Sequence, residues 1–305
     1  MNRWITYQHE RFPLLAHAPL VAAFSASAVC YSRLVRGETG LPAPRSLAVA
    51  FVTALLFFLQ LRISDEFKDF EDDARYRPYR AVPRGLVTLR ELGWVGMAAA
   101  LIQLGLALWL EPSLVWLLVL AWTYLAFMSR EFFVPQWLKA HPTAYLASHM
   151  VIIPLIDLYA TACDWLVAGL TGPPAGLYWF LIVSYFNGIV VELGRKIRSP
   201  QDEEHGVETY SALWGRTAST TLWMTAIAVT ALVAWQAAAR IHFERTVVAI
   251  LVVLVAACLL VSLRFLRTPA KGAGKNIEIA AGIWTLLMYL SLGALPALLG
   301  VRPAP

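Results

Sequence analysis

The sequence predicts an all-α membrane protein, with nine transmembrane helices in a single bundle and a central cavity open to the cytoplasmic side. Composition gives the first reason: hydrophobic residues make up 59% of the 305 residues and charged residues only 15%. Soluble domains carry about 25% charged residues. Apolar stretches close to the ~20 residues that a spanning helix needs then recur along the whole chain. Two strongly charged loops, four predicted spans apart, complete the pattern.

The nine predicted spans are separated by short connections, which leave no room for a second domain, so we expect one domain over residues 1–305. The first span follows Arg3 and Arg11, but it is long and lacks a small-residue cleavage signature, which predicts a retained helix rather than a signal peptide. The approximate bounds of the spans are 13–34, 46–64, 91–110, 113–133, 143–163, 176–194, 217–239, 246–266 and 276–299.

The placement of charge predicts the orientation. Most of the 25 lysine and arginine residues fall in the N-terminal arm and in every second loop. The positive-inside rule therefore predicts a cytoplasmic N-terminus and cytoplasmic charged loops, in a plasma membrane of the bacterial type. The basic residues follow topology rather than a groove, so we expect membrane lipid and no nucleic acid as a partner. The three cysteines lie in apolar spans without metal-binding spacing, as small buried hydrophobes do.

The loop after the second span carries the strongest functional signal. Residues 65–73 contain six acids in nine residues. Continued as a helix, this segment places Asp65, Asp69 and Asp73 on one face, at positions i, i+4 and i+8. Like charges at that spacing cost roughly 0.2–0.5 kcal/mol per pair, which favours a neutralising cation. Four arginines follow directly, so acids for a metal lie beside bases for an anion: Arg75, Arg77, Arg80 and Arg84. The combination indicates a site for a phosphorylated lipid.

The loop after the sixth span, residues 192–206, is the second concentration of charge. Glu192, Arg195 and Lys196 share one helical face, and Ser199-Pro200 breaks the helix. Alone, the pattern is equally typical of an intrahelical ion pair followed by a solvated turn. An even number of spans separates it from the acidic loop, however, so both loops open on the same side and a shared site is favoured.

With these motifs the chain resembles the UbiA superfamily of intramembrane prenyltransferases over its whole architecture. The first motif of that family is N-D-x-x-D-x-x-x-D, and Asp65-Glu66-x-x-Asp69-x-x-x-Asp73 has its spacing, with Asp for Asn and Glu for Asp. The family continues with R-P-L-P-S-G, where this chain has Arg80-Ala81-Val82-Pro83-Arg84-Gly85. The family element G-I-x-T-[LF] corresponds to Gly206-Val207-Glu208-Thr209-Tyr210, with Asp202 four residues upstream as the last aspartate of the second motif.

The second motif departs from the family pattern of D-x-x-x-D or D-x-x-D-x-x-x-D. An ungapped alignment from Asp202 places Arg198 and Arg195 at the earlier acidic positions. Two outcomes stay open. Either Glu192, Asp202 and Glu203 still reach a magnesium ion, or the basic residues of this loop bind diphosphate directly.

The resemblance implies a mechanism in which the acids hold Mg²⁺ against a prenyl diphosphate and the bases stabilise the leaving diphosphate. An apolar, aromatic-rich bundle would then keep the allylic cation from water until a lipophilic acceptor, such as an aromatic ring, captures it. The implied metal-binding and catalytic residues are Asp65, Glu66, Asp69, Asp73, Glu192 and Asp202. The implied substrate-binding residues are Arg77, Arg80, Arg195 and Lys196, with Tyr185 and Asn187 as wall residues.

Two ionisable residues within the fifth span, His149 and Asp157, are further candidates for orienting the acceptor or removing a proton. Two other functions remain as alternatives to prenyl transfer. A membrane-embedded terpene cyclase of the same superfamily would ionise the same diphosphate and capture the cation within the substrate itself. A transporter or metal-binding permease would use acids at a helix mouth, but alternating access places its site near the bilayer midplane rather than in two loops on one face.

Overall fold

The computed structural model describes residues 2–301, and every regular element assigned in that range is helical. Two short 3₁₀ turns, Glu131–Phe133 and Pro200–Asp202, lie in connections. The α-helices are α1 (Arg3–Arg11), α2 (Leu14–Val35), α3 (Pro44–Lys68), α4 (Phe70–Tyr76), α5 (Leu89–Leu110), α6 (Leu114–Ser129), α7 (Pro135–Ala140), α8 (Pro142–Met150), α9 (Ile152–Trp165), α10 (Leu177–Arg195), α11 (Tyr210–Ala239), α12 (Glu244–Arg267), α13 (Ala273–Leu292) and α14 (Ala294–Leu298).

Eight helical stretches within the described range are long and apolar enough to cross a membrane: α2, α3, α5, α8 with α9, α10, α11, α12, and α13 with α14. They overlap eight of the nine predicted spans. The predicted span 113–133 is instead the 16-residue helix α6, about 24 Å long at 1.5 Å per residue. A bilayer core is about 30 Å thick. The all-helical membrane fold is therefore confirmed, whereas the count of nine spans is not.

Local breaks explain why several stretches contain more than one helix. Pro154 has no N–H and lies in the first turn of α9, directly after the break at Val151. Gly215 interrupts α11 with φ +80° and ψ 158°, a conformation that favours glycine. The predicted seventh span begins at residue 217, immediately after this break. The first turn of α11, Tyr210–Trp214, thus lies before the break and continues from the second charged loop.

The bundle consists of two groups of helices that meet at its centre. One contains α2, α3, α5, α6 and α9, and the other contains α10 to α13; α9 packs against α10, and α2 packs against α13. Large aromatic side chains fill the junction, since Tyr31 stacks on Phe180 and Tyr289 packs edge-on against Phe24 and Phe180. A central cavity open to the cytoplasmic side is not confirmed; a groove of about 800 Å³ lies instead between α12 and α13.

Helix α1 was not predicted from the sequence. Asn2 caps it by accepting a hydrogen bond from the Trp4 backbone N–H at 3.0 Å. The Tyr7 side chain of α1 is buried in a small apolar cluster with Ile63 and Leu92. Helix α1 therefore lies across the end of the bundle where α3 ends and α5 begins. At nine residues α1 is too short to be detected as a spanning helix. Its amphipathic pattern stabilises a helix only when its apolar face packs against α3 and α5.

A close approach between α2 and the junction of α13 with α14 gives a first prediction. A Cβ on Gly293 would lie 2.2 Å from the Ser27 carbonyl oxygen and 2.4 Å from the Ser27 Cα atom. Since these are backbone atoms, Gly293→Ala should destabilise the protein by about 1–3 kcal/mol through helix displacement. Thermal unfolding in detergent measures the change.

The matched control is Gly282→Ala in α13, where an added Cβ meets nothing within 4 Å. Alanine is a better helix former than glycine by about 1 kcal/mol, so this variant should be unchanged or more stable. Equal stability of the two variants would contradict the close approach of α2 to the Gly293 segment.

Candidate functional site

The acidic segment keeps the helical register that the sequence predicts, although it bends at Asp69. Helix α3 ends at Lys68 and α4 begins at Phe70. The backbone N–H of Asp69 still donates to the Asp65 carbonyl at 2.8 Å, and that of Asp73 donates to the Asp69 carbonyl at 2.8 Å. The bend therefore leaves the three aspartates in consecutive turns of a nearly continuous helix.

Asp73 is buried among arginines. Its carboxylate is 2.6 Å from an Nη atom of Arg77, 2.6 Å from one of Arg80 and 3.9 Å from Arg11. A guanidinium has five N–H donors in a planar fork. Each close contact with Asp73 uses one nitrogen, so Arg77 and Arg80 keep further donors for an anion such as a phosphate.

Glu66 is also buried, and it pairs with Arg11 at the end of α1. Sequence reasoning missed the role of Arg11, because in the chain it reads only as a basic flank of the first span. Two further ion pairs fix α1 over the acidic segment: Arg3 with Glu91 at 2.6 Å and Arg84 with Glu10 at 2.8 Å.

Asp65 and Asp69 differ from the paired acids. Asp65 is partly exposed, and its closest cation is Arg62 at 3.4 Å. Within the described residues Asp69 forms no ion pair. Burial, together with the negative charge of Asp65, raises the pKa of the Asp69 carboxyl above its usual value. These two carboxylates therefore lack the close, buried arginine contacts that Glu66 and Asp73 have.

In the second charged loop Glu192 is buried, and both predicted basic neighbours contact it. The carboxylate is 2.5 Å from Nε of Arg195 and 3.0 Å from Nζ of Lys196. Lys196 also lies over the rings of Tyr210 at 5.6 Å and Tyr145 at 6.0 Å. The intrahelical ion pair is thus present, with its carboxylate inside the protein rather than on a solvated face.

The two charged loops touch each other. The Tyr76 ring, at the end of α4, packs so closely on Gly206 that a Cβ there would lie 2.4 Å from it. The same ring meets His205 edge-on at 5.8 Å between centroids. Gly206 has φ +78°, so both its backbone and its surroundings require glycine. This contact agrees with the expectation that both loops open at the same end of the bundle.

A polar cluster that the sequence did not reveal adjoins the second loop. Lys68 is hydrogen-bonded to the Tyr145 hydroxyl and lies 2.8 Å from Glu131, whose other oxygen is 3.2 Å from His149 Nε2. Burial opposes ionisation of Glu131, but hydrogen bonds from His149 and Lys68 outweigh it and lower the pKa of its carboxyl. Glu131 has φ +50°, like Phe132 at +51°. Only the fold brings these four polar side chains together.

The remaining predicted site residues lie apart from the acidic face. The Asp202 carboxylate accepts a hydrogen bond from the Gly272 backbone N–H at 2.6 Å and so joins the second loop to the start of α13. Tyr185 donates to the Ala147 carbonyl at 3.1 Å. Asn187 is buried and accepts from Trp284 at 3.2 Å.

Asp157 lies deep in the same bundle centre. It is fully buried, and the Tyr289 hydroxyl, 3.1 Å from its Oδ2 atom, also lies 3.2 Å from Ser184. This polar layer joins α9, α10 and α13 inside the apolar bundle.

Only some of the predicted carboxylates suit a metal ion. Within residues 2–301, no group of three or more His, Cys, Asp or Glu side chains is placed to hold a metal ion. Mg²⁺ commonly binds one or two carboxylates plus waters and substrate phosphates. Asp65 and Asp69 provide hard oxygen ligands, and neither is held by close arginine contacts like those of Asp73, so they fit that mode. Glu66, Asp73 and Glu192 are paired with basic side chains and Asp202 with a backbone N–H, so these four are otherwise engaged.

Solved structures share the overall architecture. The apo structure of a UbiA homolog from Aeropyrum pernix K1 matches with a TM-score of 0.68 and 12% identity, over 90% of this chain and 97% of that chain. A digeranylgeranylglyceryl phosphate synthase matches with a TM-score of 0.60 and 12% identity, over 97% and 99%. A UbiA homolog from Archaeoglobus fulgidus bound to DMAPP and Mg²⁺ matches with a TM-score of 0.56 and 12% identity, over 93% and 99%. At this identity the likeness concerns the fold alone.

Sequence comparison extends the match from fold to family. A search of curated proteins gives no match. The model of the UbiA prenyltransferase family, however, matches residues 23–290. This range contains both charged loops and all but the ends of the bundle. The chain is therefore an integral membrane protein that belongs to the UbiA prenyltransferase family.

Proposed function

We propose that the protein transfers a prenyl group from a prenyl diphosphate to a lipophilic, aromatic acceptor within the membrane, in a Mg²⁺-dependent reaction. The contact of Tyr76 with Gly206 and His205 is the observation that carries the proposal. It joins an acidic helix end, an arginine cluster and the second charged loop at one end of an apolar bundle. Such a combination suits a substrate with a charged head and a hydrocarbon tail.

The residues divide into two roles in this proposal. Asp65 and Asp69 would hold Mg²⁺, which neutralises diphosphate oxygens and so supports departure of the leaving group. Arg77 and Arg80, oriented by Asp73, donate to the diphosphate as its negative charge develops, and Arg195 and Lys196 act from the second loop. Of the two open outcomes for that loop, its basic contacts with Glu192 favour direct anion binding.

The apolar bundle has the complementary task. The prenyl cation must be kept from water until the acceptor attacks it. Aromatic faces of the bundle stabilise a nearby cation by roughly 0.5–2 kcal/mol each. We place Tyr185 and Asn187 on the wall of this region, and His149 and Asp157 as groups that orient the acceptor or take its proton. The prenyl chain would occupy a central cavity that opens at the charged end.

Topology completes the proposal. Helix α6 acts as the ninth span in a locally thinned bilayer, since a short helix costs only fractions of a kcal/mol per Å of mismatch. The N-terminus and both charged loops are cytoplasmic, in a plasma membrane of the bacterial type.

A direct assay separates this function from its alternatives. Purified protein is incubated with C10–C20 prenyl diphosphates and Mg²⁺, with and without an aromatic acceptor. Diphosphate release with a prenylated acceptor is the expected result. A cyclic hydrocarbon formed without acceptor would identify a terpene cyclase, and substrate flux in proteoliposomes without turnover would identify a transporter.

The carboxylates predicted to hold the metal give a sharp mutational test. Asp65→Asn and Asp69→Asn should each lower turnover about 100-fold or more, because a neutral amide neither binds Mg²⁺ as tightly nor balances its charge. Release of labelled diphosphate measures the loss.

Asp72→Asn is the matched control. Asp72 is exposed in the same acidic segment and lies about 100° away from Asp73 around the helix, so turnover should stay near that of the unmodified protein. Near-normal activity of both Asp65→Asn and Asp69→Asn would rule out the metal assignment.

Metal dependence is tested independently of mutation. Excess chelator should stop turnover and added Mg²⁺ should restore it, whereas Ca²⁺ should substitute poorly because it prefers larger and more flexible coordination. Undiminished product formation in chelator would contradict the proposed role of the metal.

Diphosphate affinity tests the second loop. If Arg195 and Lys196 contact diphosphate, Arg195→Ala and Lys196→Ala should each weaken binding of inorganic diphosphate by about 1.5–3 kcal/mol, roughly ten- to hundredfold. Isothermal titration measures the affinity. Lys275→Ala is the control, because Lys275 forms an exposed ion pair with Glu278 at 2.9 Å and such pairs contribute at most about 0.5 kcal/mol. Unchanged affinity in both loop variants would leave this loop without its proposed role.

A further inference from the structure

A groove of about 800 Å³ runs between α12 and α13 on the outside of the bundle. Its floor is apolar and includes Leu254, Cys258 and Val261 on α12, with Ile279 and Ile283 on α13. Ile279 and Ile283 are each about half exposed, so the groove faces the surroundings of the bundle rather than its interior. In a membrane this surface faces lipid chains.

The length of the groove matches one leaflet. From Leu254 to Arg264 helix α12 rises about 15 Å at 1.5 Å per residue. Half of a ~30 Å hydrocarbon core is about 15 Å. A groove that begins at the headgroup level near Arg264 therefore ends close to the bilayer midplane, as an acyl chain does.

The mouth of the groove is basic. Arg264 and Lys271 line it and are exposed. None of the ion pairs within residues 2–301 includes either residue. The Asp202 carboxylate lies near the mouth, where it accepts a hydrogen bond from the Gly272 backbone N–H at 2.6 Å, but it forms no ion pair with Arg264 or Lys271. The mouth thus presents two cations that lack acidic partners, at the same end of the bundle as the charged loops.

We infer that this groove binds an anionic phospholipid, with the phosphate at Arg264 and Lys271 and one acyl chain along the apolar floor. The proposal is independent of the reaction in the charged loops. The apolar floor is as long as one leaflet and so suits an acyl chain. The basic mouth favours an anionic headgroup over a zwitterionic one. A free phosphate would use only the mouth.

Lipid titration tests the inference on the full-length protein in detergent. Thermal stability and native mass spectrometry are followed while phosphatidylglycerol or phosphatidylcholine of the same chains is added. We expect tighter binding and a larger increase in Tm with phosphatidylglycerol, and no comparable effect of inorganic phosphate. Arg264→Gln with Lys271→Gln should weaken phosphatidylglycerol binding about 25-fold, since each basic residue near an anionic headgroup contributes a factor of about five.

Matched variants separate this site from general surface effects. Arg130→Gln with Lys139→Gln removes two exposed cations outside the groove, and phosphatidylglycerol binding should persist. Ala257→Phe fills the groove, whereas Ala256→Phe adds the same ring at an exposed neighbour that does not line it. Only the former should abolish lipid retention. Equal binding of both lipids, equal stabilisation by phosphate alone, or identical behaviour of the two alanine variants would overturn the inference.

Discussion

The carboxylate of Asp73 is buried between Arg77 and Arg80, and the arrangement of the candidate site depends on this contact. Removing one partner of a buried ion pair costs about 3–5 kcal/mol, because the charges that remain have no solvent to compensate them. Arg77 and Arg80 are therefore held at the end of α4, and Arg11, 3.9 Å away, draws α1 toward the same carboxylate. One acidic side chain thereby orients three arginines from two parts of the chain.

This constraint changes how the acidic motif is understood. Six acids in nine residues suggest a uniform metal-binding face, but burial and pairing divide them. Glu66 and Asp73 are buried against arginines, whereas Asp65 is partly exposed with a longer contact to Arg62 and Asp69 has no ion pair among the described residues. In the function proposed here, Asp73 positions cations for the diphosphate, and Asp65 and Asp69 bind Mg²⁺. A shared motif spacing is thus compatible with different roles for its members.

The sequence predicted those features of the fold that depend on neighbouring residues. Apolar length located eight spanning stretches, and the break at Gly215 lies where the predicted seventh span begins. The sequence did not predict which side chains from distant parts of the chain form contacts. Helix α1 has too few residues to give a spanning signal, and Arg11 lies 55 residues from its partner Glu66. The contact of Lys68 with Tyr145 spans 77 residues, and nothing local to either side chain indicates it.

In the second charged loop, contacts between side chains change the charge that the site presents to a substrate. Its alignment with the family pattern puts arginines where acids are usual, and the structure places Arg195 and Lys196 around the buried carboxylate of Glu192. A buried carboxylate with two cations leaves the group with a net positive charge. This positive group lies beside Tyr145, whose hydroxyl contacts Lys68. This group therefore places one net positive charge at the start of the second loop. In the proposed function, that charge favours an anionic substrate group there over a second metal ion.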